Sequence, residues 1–524
     1  NWPRAGTSAA SALYRTRGPT YTGGSAIFPD YRTLRNKPSL VDAVVPIAVL
    51  IILLSFSVFL FGDSSSAGPN QIAMIFAAAV AALIALKNGN DWHSIQNAIV
   101  KGISTAMAAI LILLAVGALI GSWNLAGTVQ AMIYFGLKIL SPDIFYVATC
   151  IICALTSLAI GSSWTVAGTL GIGLMGVSQG LGLSPAMTAG AVISGAYFGD
   201  KMSPLSDTTN LAPAVAGVEL FSHIRHMLWT TGPSFVIAVV IFSFIGLGGV
   251  STGADTNMGM IGDVIAANYS LSFPTLIPLA LVFYLALKRY PALPTILAGA
   301  LAGVLVGLII QRPAVLALAD SPDLPVGLAL LKGVWITLFD GFVANTGHEM
   351  VDNLLSRGGM NSMLSTIFLV FSALSFGAVM EYSGMLARLI ESILAAAKST
   401  GSMIAAVLVT SVGVNIVAAD QYLAIVLPGR MYRAEFSRRG LHPKNLSRAI
   451  EDAGTITSPL IPWNTCGAYM SATLGVPTLA YLPYCFFNLV NPLISMIYGF
   501  RGFTIEKLEK TEPTDSQAEP ASSI

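Results

Sequence analysis

Apolar runs long enough to cross a lipid bilayer recur along nearly the whole chain. An α-helix rises about 1.5 Å per residue, so about 20 apolar residues span a hydrocarbon layer about 30 Å thick. We assign ten such runs to single crossings: 44–61, 71–86, 103–121, 187–217, 229–248, 272–287, 293–311, 363–381, 449–476 and 480–499. The pattern therefore predicts an all-α integral membrane protein with ten transmembrane helices.

Two further apolar stretches, 144–182 and 402–429, are each broken near the middle by small or polar residues. The first break is residues 161–165 (GSSWT), and the second is residues 418–421 (AADQ). At membrane depth, non-helical backbone is tolerated only inside protein or beside a water-filled cavity. We therefore predict that these two stretches are re-entrant hairpins rather than simple crossings.

The composition excludes a soluble fold and several kinds of partner. Hydrophobic residues make up 54% of the chain and charged residues only 10%, whereas soluble domains carry about 25% charge. The net charge is +1, and the basic residues are scattered through short loops, which argues against nucleic acid as a partner. All four cysteines lie in apolar segments, and we find no zinc or nucleotide motif. The sequence therefore predicts no cofactor.

The distribution of basic residues predicts the orientation in the membrane. With the N-terminus inside, 22 of the 27 Lys and Arg residues fall in cytoplasmic segments. This agrees with the positive-inside rule, so we expect both termini to be cytoplasmic in a bacterial inner membrane. The same assignment predicts that the first hairpin enters from outside and the second from the cytoplasm.

An internal repeat organises the chain. Residues 102–127 match 359–384 at an offset of 257, and two shorter matches pair Thr156-Ser157 with Thr410-Ser411 and 203–205 with 458–460. Each half has five crossings, an odd number, so we predict two repeats of inverted topology. The predicted domains are a disordered basic cytoplasmic arm (1–40), repeat 1 (41–249), an extracytoplasmic connection (250–271), repeat 2 (272–500) and a cytoplasmic tail (501–524).

Each repeat contains a helix that proline and polar residues interrupt. Pro204 breaks the first, and Pro459 and Pro462 break the second, because proline cannot donate to the helical ladder. Hydroxyl, amide and carboxylate oxygens around breaks and hairpin tips are ligands that suit a partly dehydrated Na⁺. The predicted cation- and proton-binding residues are Asp200, Asp207, Asp420, Asp452, Asn464, Ser163, Thr165, Ser206, Thr208, Asn210 and Thr465.

Two carboxylates are the strongest candidates to ligate Na⁺, namely Asp207 and Asp420. Ionisable groups within membrane segments are costly and usually mark function. Asp420 has an alternative role, because a carboxylate at a hairpin tip also fits the N-cap of a half-helix. We interpret Lys201 as a partner that neutralises a neighbouring acid rather than as a ligand.

The segment 193–213 (ISGAYFGDKMSPLSDTTNLAP) resembles the signature of the NhaC-type Na⁺/H⁺ antiporter family. The similarity extends from about Lys37 to Tyr498 and includes the tip at 161–165 and the start at 38–42 (PSLVD). The resemblance implies a fold in which hairpin tips and broken helices hold substrate and Na⁺. Trp164 lies where the larger ion-transporter group has an amide, and this departure favours a small ion over a dicarboxylate.

Taken together, these features predict a secondary antiporter that exchanges Na⁺ or Li⁺ for H⁺ by alternating access, with a role in pH homeostasis. Carboxylates that bind either ion would couple the two fluxes by competition. The alternative is Na⁺- or H⁺-coupled exchange of a small organic anion, of the malate and lactate type, or of an amino acid. An intramembrane enzyme is disfavoured because the candidate serines have no His in any central span. The expected partners are the lipid bilayer and the two cations, and the plan allows a homodimer.

Overall fold

The computed structural model describes residues 37–62, 65, 68–247 and 254–508. Within these residues the chain is helical and contains no strand, apart from two isolated bridges, Phe342 with Arg357 and Leu441 with Lys507. The all-α prediction is therefore confirmed. Most of the predicted arm and the tail from residue 509 onward lie outside the described residues. The described chain enters its first helix at Leu40.

The first half of the chain forms helices α1 to α11. They are α1 (Leu40–Phe61), α2 (Pro69–Lys87), α3 (Trp92–Thr105), α4 (Met107–Ala126), α5 (Thr128–Ile139), α6 (Pro142–Ile160), α7 (Ser163–Val166), α8 (Ile172–Gly180), α9 (Pro185–Met202), α10 (Asp207–Ala216) and α11 (Leu220–Leu247). A π-helical turn, Ala167–Gly171, joins α7 to α8. The helix therefore pauses at residues 161–162 and again between α9 and α10.

The second half forms helices α12 to α25. They are α12 (Ala254–Asn268), α13 (Ile277–Leu287), α14 (Ala292–Ile310), α15 (Arg312–Ala319), α16 (Val326–Phe339), α17 (Glu349–Leu355), α18 (Leu364–Tyr382), α19 (Met385–Ala396), α20 (Thr400–Val417), α21 (Gln421–Arg438), α22 (Pro443–Ile450), α23 (Thr465–Leu474), α24 (Thr478–Tyr481) and α25 (Phe486–Arg501). Short 3₁₀ turns are Phe273–Leu276, Met360–Met363, Ser458–Leu460 and Leu482–Tyr484, and Glu451–Thr455 is a π-helical turn.

Eight helices are long and apolar enough to cross a membrane, and the number rises to ten if two bent pairs each count as one span. The chain is therefore a multi-pass membrane protein. The eight include α6 and α20, which the sequence pattern assigned to re-entrant hairpins, because each has a first arm of full crossing length. The pattern also missed the apolar helix α16, whose 14 residues are shorter than a usual span, and the helix α12 within the predicted connection.

The two halves contain the same series of elements. Helices α18, α19, α20, α21, α22 and α23 begin 257 or 258 residues after α4, α5, α6, α7, α9 and α10 respectively. Backbone turns repeat as well, since Gly127 and Gly384 both have positive φ and end the paired helices α4 and α18. The structural spacing is three or four residues longer than the two shorter sequence matches, which paired similar residues at non-equivalent positions. The inverted orientation of the repeats stays a prediction.

Close packing of small residues holds the first broken helix against the first hairpin arm. Gly195 and Gly199 on α9 face α6 so closely that an added Cβ would lie 2.1 Å from the Cys150 carbonyl oxygen and 2.3 Å from that of Ala154. Small residues let helices approach closely where lipid cannot supply a hydrophobic drive. The Ser157 hydroxyl also donates to the Ala196 carbonyl at 2.6 Å. These contacts fix the end of α9 beside the tip at 161–163.

Candidate functional site

The first hairpin tip is hydrogen-bonded to the carboxylate at the end of α9. Gly161 has a φ of +79°, which turns the chain out of α6, and Ser162 then caps α7 by accepting from the Thr165 amide. This turn presents Ser163, whose amide and hydroxyl both donate to Asp200 Oδ2, at 3.1 and 2.6 Å. Asp200 is buried. The tip and the broken helix of repeat 1 therefore meet at this carboxylate.

The second tip has the same construction with different side chains. Ala419 has a φ of +57° at the position equivalent to Gly161, and Asp420 then caps α21 by accepting from the Leu423 amide at 2.8 Å. The Thr465 amide donates to the Ala419 carbonyl at 3.0 Å. The capping geometry that we kept as an alternative for Asp420 is therefore present. It leaves the second carboxylate oxygen available for another role.

Equivalent residues of the two halves make equivalent contacts at the tips. In each half, the residue two positions after the positive-φ residue bonds to the facing broken helix, and a polar side chain on the hairpin arm bonds to a carbonyl of that helix. These pairs are Ser163 with Asp200, Gln421 with Ser458 (2.8 Å), Ser157 with Ala196, and Asn415 with the Gly454 carbonyl (2.7 Å). The tips are thus held by one design used twice.

The first tip also contacts the second half directly. The Trp164 and Tyr469 rings stack with centroids 4.0 Å apart, and the Tyr469 hydroxyl donates to the Trp164 carbonyl at 2.8 Å. Tyr469 lies on α23, the second part of the broken helix of repeat 2. The indole that departs from the family pattern therefore packs between the repeats, and it closes space that a larger substrate would need.

The predicted ligands Asp207 and Asn210 lie on the open side of the site. Both are exposed and begin or follow the first turn of α10. Tyr422, 48% exposed, is within electrostatic range of Asp200, Asp207 and Asp420. Three of the predicted carboxylates therefore surround one opening near the two tips, contributed by α9, α10 and the start of α21.

A buried ion pair joins the two broken helices. Lys201 Nζ lies 2.6 Å from Asp452 Oδ1, and neither side chain is exposed to solvent. Thr230 on α11 donates to the same Asp452 oxygen at 3.0 Å. The expectation that Lys201 neutralises an acid agrees with this contact, but its partner is Asp452 of the other half rather than the adjacent Asp200. A carboxylate paired in this way has lost much of its capacity to ligate a free cation.

Glu451 is a buried acid that the sequence analysis did not select. It is fully buried in the π-helical turn, and its Oε1 accepts from the Thr455 hydroxyl at 2.8 Å. Its Oε2 has no well-formed hydrogen bond to any described residue. The signal available in the sequence was its position directly before Asp452 in an interrupted apolar segment, where an ionisable residue is a functional candidate by default.

The remaining predicted residues take up supporting positions. Thr165 and Ser206 are buried, Thr208 lies 3.2 Å from Ser206 between hydroxyl oxygens, and Asn464 caps α23. Pro204 lies in the gap between α9 and α10, while Pro459 begins the short 3₁₀ turn and Pro462 follows it. Among the described residues, no three His, Cys, Asp or Glu side chains are grouped to hold a metal ion. A bound cation would need hydroxyl, amide or carbonyl oxygens as well.

One buried arginine lies closer to the site than the sequence pattern indicated. The pattern placed Arg448 in a cytoplasmic loop, but α22 continues directly into the π-helical turn and Arg448 is fully buried on it. Its Nη1 donates to the Thr504 hydroxyl at 2.8 Å, whereas Nε and Nη2 have no partner among the described residues. Arg448 is also within electrostatic range of Asp452.

A multi-pass helical protein with paired hairpin tips, broken helices and buried charges at their junction is a membrane transporter. The family model of the Na⁺/H⁺ antiporter family matches residues 195–503. The chain is 39% identical to the Na⁺/H⁺ antiporter NhaC of Alkalihalophilus pseudofirmus over 438 residues, covering 83% of this chain and 91% of that protein. The chain therefore belongs to the Na⁺/H⁺ antiporter family, and the NhaC resemblance is confirmed.

Two other relatives carry different names. The chain is 36% identical to the arginine/ornithine antiporter ArcD of Halobacterium salinarum, covering 93% of this chain and 96% of that protein. It is 35% identical to the malate-2H⁺/Na⁺-lactate antiporter of Bacillus subtilis, covering 89% of this chain and 95% of that protein. Family membership therefore leaves more than one kind of substrate to be weighed against the site.

Proposed function

We propose that the protein exchanges Na⁺ or Li⁺ for H⁺ across the bacterial inner membrane, with both termini in the cytoplasm. The observation that carries this proposal is the junction at Asp200, where a hairpin tip donates two hydrogen bonds to a buried carboxylate beside further hydroxyl groups. Hard oxygen atoms in a compact arrangement suit a small, partly dehydrated cation. The NhaC relative named above supports the same substrate.

The coupling follows from sharing of the site. A carboxyl group held away from water beside another carboxyl binds a proton more readily than an exposed one, and Asp207 adds negative charge next to Asp200. Na⁺ and H⁺ then compete for the same negative charge, so binding of one releases the other. Asp200 and Asp207 are the proposed cation ligands, with Ser163, Ser206 and Thr208 supplying hydroxyl oxygens and Asp420 adding charge at the second tip.

Alternating access is assigned to movement of the tip-bearing elements against the rest. The repeated contacts at the two tips give each half the same tip and broken-helix unit, as expected of two structural repeats. If the repeats are inverted, the two units open to opposite sides of the membrane. The transported ions then leave and enter without ATP, because exchange needs only the two ion gradients.

Exchange of an organic anion or an amino acid is the second candidate. The buried Arg448, with two nitrogen atoms unpaired among the described residues, is the observation that favours it, since arginine binds carboxylates in a bidentate way. Its partner Thr504 and its position on the far side of the Lys201–Asp452 pair separate it from Asp200. The stacked Trp164 and Tyr469 rings also narrow the space at the tips, which favours the cation.

The test is isotope flux in proteoliposomes without nucleotide. ²²Na⁺ efflux driven by an inward proton gradient is the expected activity, with competition by Li⁺. Labelled malate, lactate, arginine and ornithine are offered in parallel at the same gradient. Uptake of an organic substrate, with no Na⁺ movement in its absence, would replace the proposal with the second candidate.

A further inference from the structure

We infer that Glu451 carries the proton that is exchanged for Na⁺, and that the Ser206 and Thr208 hydroxyls connect it to the cation ligand Asp200. The inference rests on the proposed Na⁺/H⁺ exchange and names the group that holds its proton. Its starting point is the fully buried Glu451 side chain, which has one well-formed hydrogen bond, from Thr455 on its own turn, and a free Oε2 within the described chain.

The charges around Glu451 leave it without a counterion. The one buried lysine nearby, Lys201, is committed to Asp452 at 2.6 Å, and both are fully buried. An unpaired carboxylate in a dry environment is costly, and the usual solution is protonation. Glu451 is therefore neutral while the neighbouring Asp200 has no cation bound.

Binding of Na⁺ changes this balance by one charge. With Glu451 protonated, the group formed by Lys201, Asp452, Asp200 and Glu451 carries one net negative charge. If Na⁺ binds at Asp200 and Glu451 releases its proton, the net charge of the same group is unchanged. Exchange of one ion for the other at this place therefore avoids placing an extra charge in the protein interior, which is the physical basis of the coupling.

A path of hydroxyl groups joins the two acids. The Ser206 hydroxyl approaches the Asp200 carboxylate and lies 3.2 Å from the Thr208 hydroxyl, which in turn approaches the Glu451 carboxyl group. The path crosses from α10 of the first half to the π-helical turn of the second. When Glu451 releases its proton, each hydroxyl accepts one proton and passes its own onward, so the hydroxyls are unchanged and one proton reaches the Asp200 side.

The other ionisable groups packed around the turn do not supply an alternative partner for Glu451. Helix α20 brings no ionisable side chain, and Tyr432 of α21 is bonded to Thr410. The charged or titratable groups that face this region are Asp452 on the turn, Lys201 and Asp200 on α9, Asp207 on α10, His223 on α11, Arg448 on α22 and Tyr498 on α25. His223 is bonded to Ser447 at 2.8 Å, and Arg448 to Thr504.

The first test uses Glu451→Gln, which keeps the volume and the neutral state of the protonated acid. We expect ²²Na⁺/Na⁺ exchange, which needs no proton, to persist, while Na⁺-driven proton movement falls to background. The Na⁺ half-saturation constant should also lose its dependence on pH. Glu349→Gln is the matched control at an exposed glutamate and should behave as the wild type. Persistent Na⁺/H⁺ exchange in Glu451→Gln overturns the inference.

Two further outcomes are separated by design. Loss of ²²Na⁺/Na⁺ exchange from folded Glu451→Gln also overturns it, because Glu451 would then bind Na⁺ itself. If that variant does not fold, Glu451→Asp keeps a titratable group at a changed position and should shift the pH profile of exchange, whereas an unaltered profile refutes the proton role. Failure of the wild type to move protons with Na⁺ refutes the proposed function instead.

The path is tested by a pair of substitutions at Thr208. Thr208→Val removes the hydroxyl at nearly constant volume and should slow Na⁺/H⁺ exchange at least about tenfold more than it slows ²²Na⁺/Na⁺ exchange. Thr208→Ser keeps the hydroxyl and should stay close to the wild-type ratio of the two rates. Equal slowing of both exchanges by Thr208→Val would contradict the path, because it would indicate a role in Na⁺ binding alone.

Discussion

Breaking the Lys201–Asp452 ion pair should destabilise the protein far more than removing it completely. Both side chains are fully buried, the nitrogen and oxygen atoms are 2.6 Å apart, and Thr230 donates a further hydrogen bond to Asp452. Removal of one partner from such a pair costs about 3–5 kcal/mol, because the other charge stays buried and unpaired. Lys201→Met and Asp452→Leu should each lower the free energy of unfolding by about this amount.

The double variant has a different expected result. Replacing both partners with apolar residues of similar volume is often neutral or stabilising. Thr230 keeps its bond to the Met227 carbonyl at 3.1 Å, so it is not left unpaired. The Lys201→Met and Asp452→Leu protein should therefore unfold within about 1–2 kcal/mol of the wild type, which gives a coupling energy of several kcal/mol.

The assay can use the cysteines of the chain. All four, Cys150, Cys153, Cys466 and Cys485, are free and buried, so a thiol-reactive dye labels them only on unfolding. Titration with a denaturing detergent then gives the unfolding free energies of the wild type, the two single variants and the double variant. A double variant whose loss equals the sum of the two single losses would refute the pairing, and with it the argument that Glu451 lacks a counterion.

Three other predictions concern the cation ligands and the topology. Asp207→Asn removes one negative charge beside Asp200 and should weaken apparent Na⁺ affinity about tenfold or more in ²²Na⁺ exchange, whereas Asp323→Asn in an exposed loop should have no effect. At Asp420, Ala should cost about 1 kcal/mol of stability through the lost helix cap and Asn almost none; full transport by Asp420→Asn would restrict this residue to capping. Cysteines placed at Ser141 and Ser184 should react from outside the membrane, and labelling only from the cytoplasm would contradict the predicted sidedness.

The sequence predicted the class and the main breaks of the fold because both depend on local chemistry. Apolar runs, Gly161 and the Pro204 segment identify membrane helices and their interruptions without any tertiary information. Counting the crossings was harder, since α6 has the length of a full span although its continuation turns at the tip. The short helix α16 was missed because its apolar run falls below the length that a crossing requires.

The site was predicted in part, and the missing part depends on contacts between the halves. Asp200 and Ser163 could be chosen from motifs, but no local pattern indicates that Lys201 pairs with an acid 251 residues away. For the same reason, the sequence could not separate the roles of Glu451 and Asp452. Once the lysine partner is known, the paired acid and the unpaired acid differ in charge state, and the candidate proton carrier changes.

The repeat shows a similar limit. Matching of Ser-Pro-Leu in the two halves paired Ser203 with Ser458, whereas the helix starts and tip contacts pair Asp200 with Ser458. Sequence identity favoured the residues that break each helix, but the breaks lie at different depths along the two helices. Equivalence was therefore visible only in the backbone turns and in the contacts that the tips make.

The measurement that tests the account most directly is the Na⁺ half-saturation constant of the wild-type protein as a function of pH. It is obtained from ²²Na⁺/Na⁺ exchange in proteoliposomes with equal pH on both sides and no membrane potential. If Na⁺ and one proton exclude each other, the constant should rise as pH falls, by up to about tenfold per pH unit below the pKa of the site. A constant that stays the same across the pH range would contradict the central claim that the two ions compete for one buried group of carboxylates.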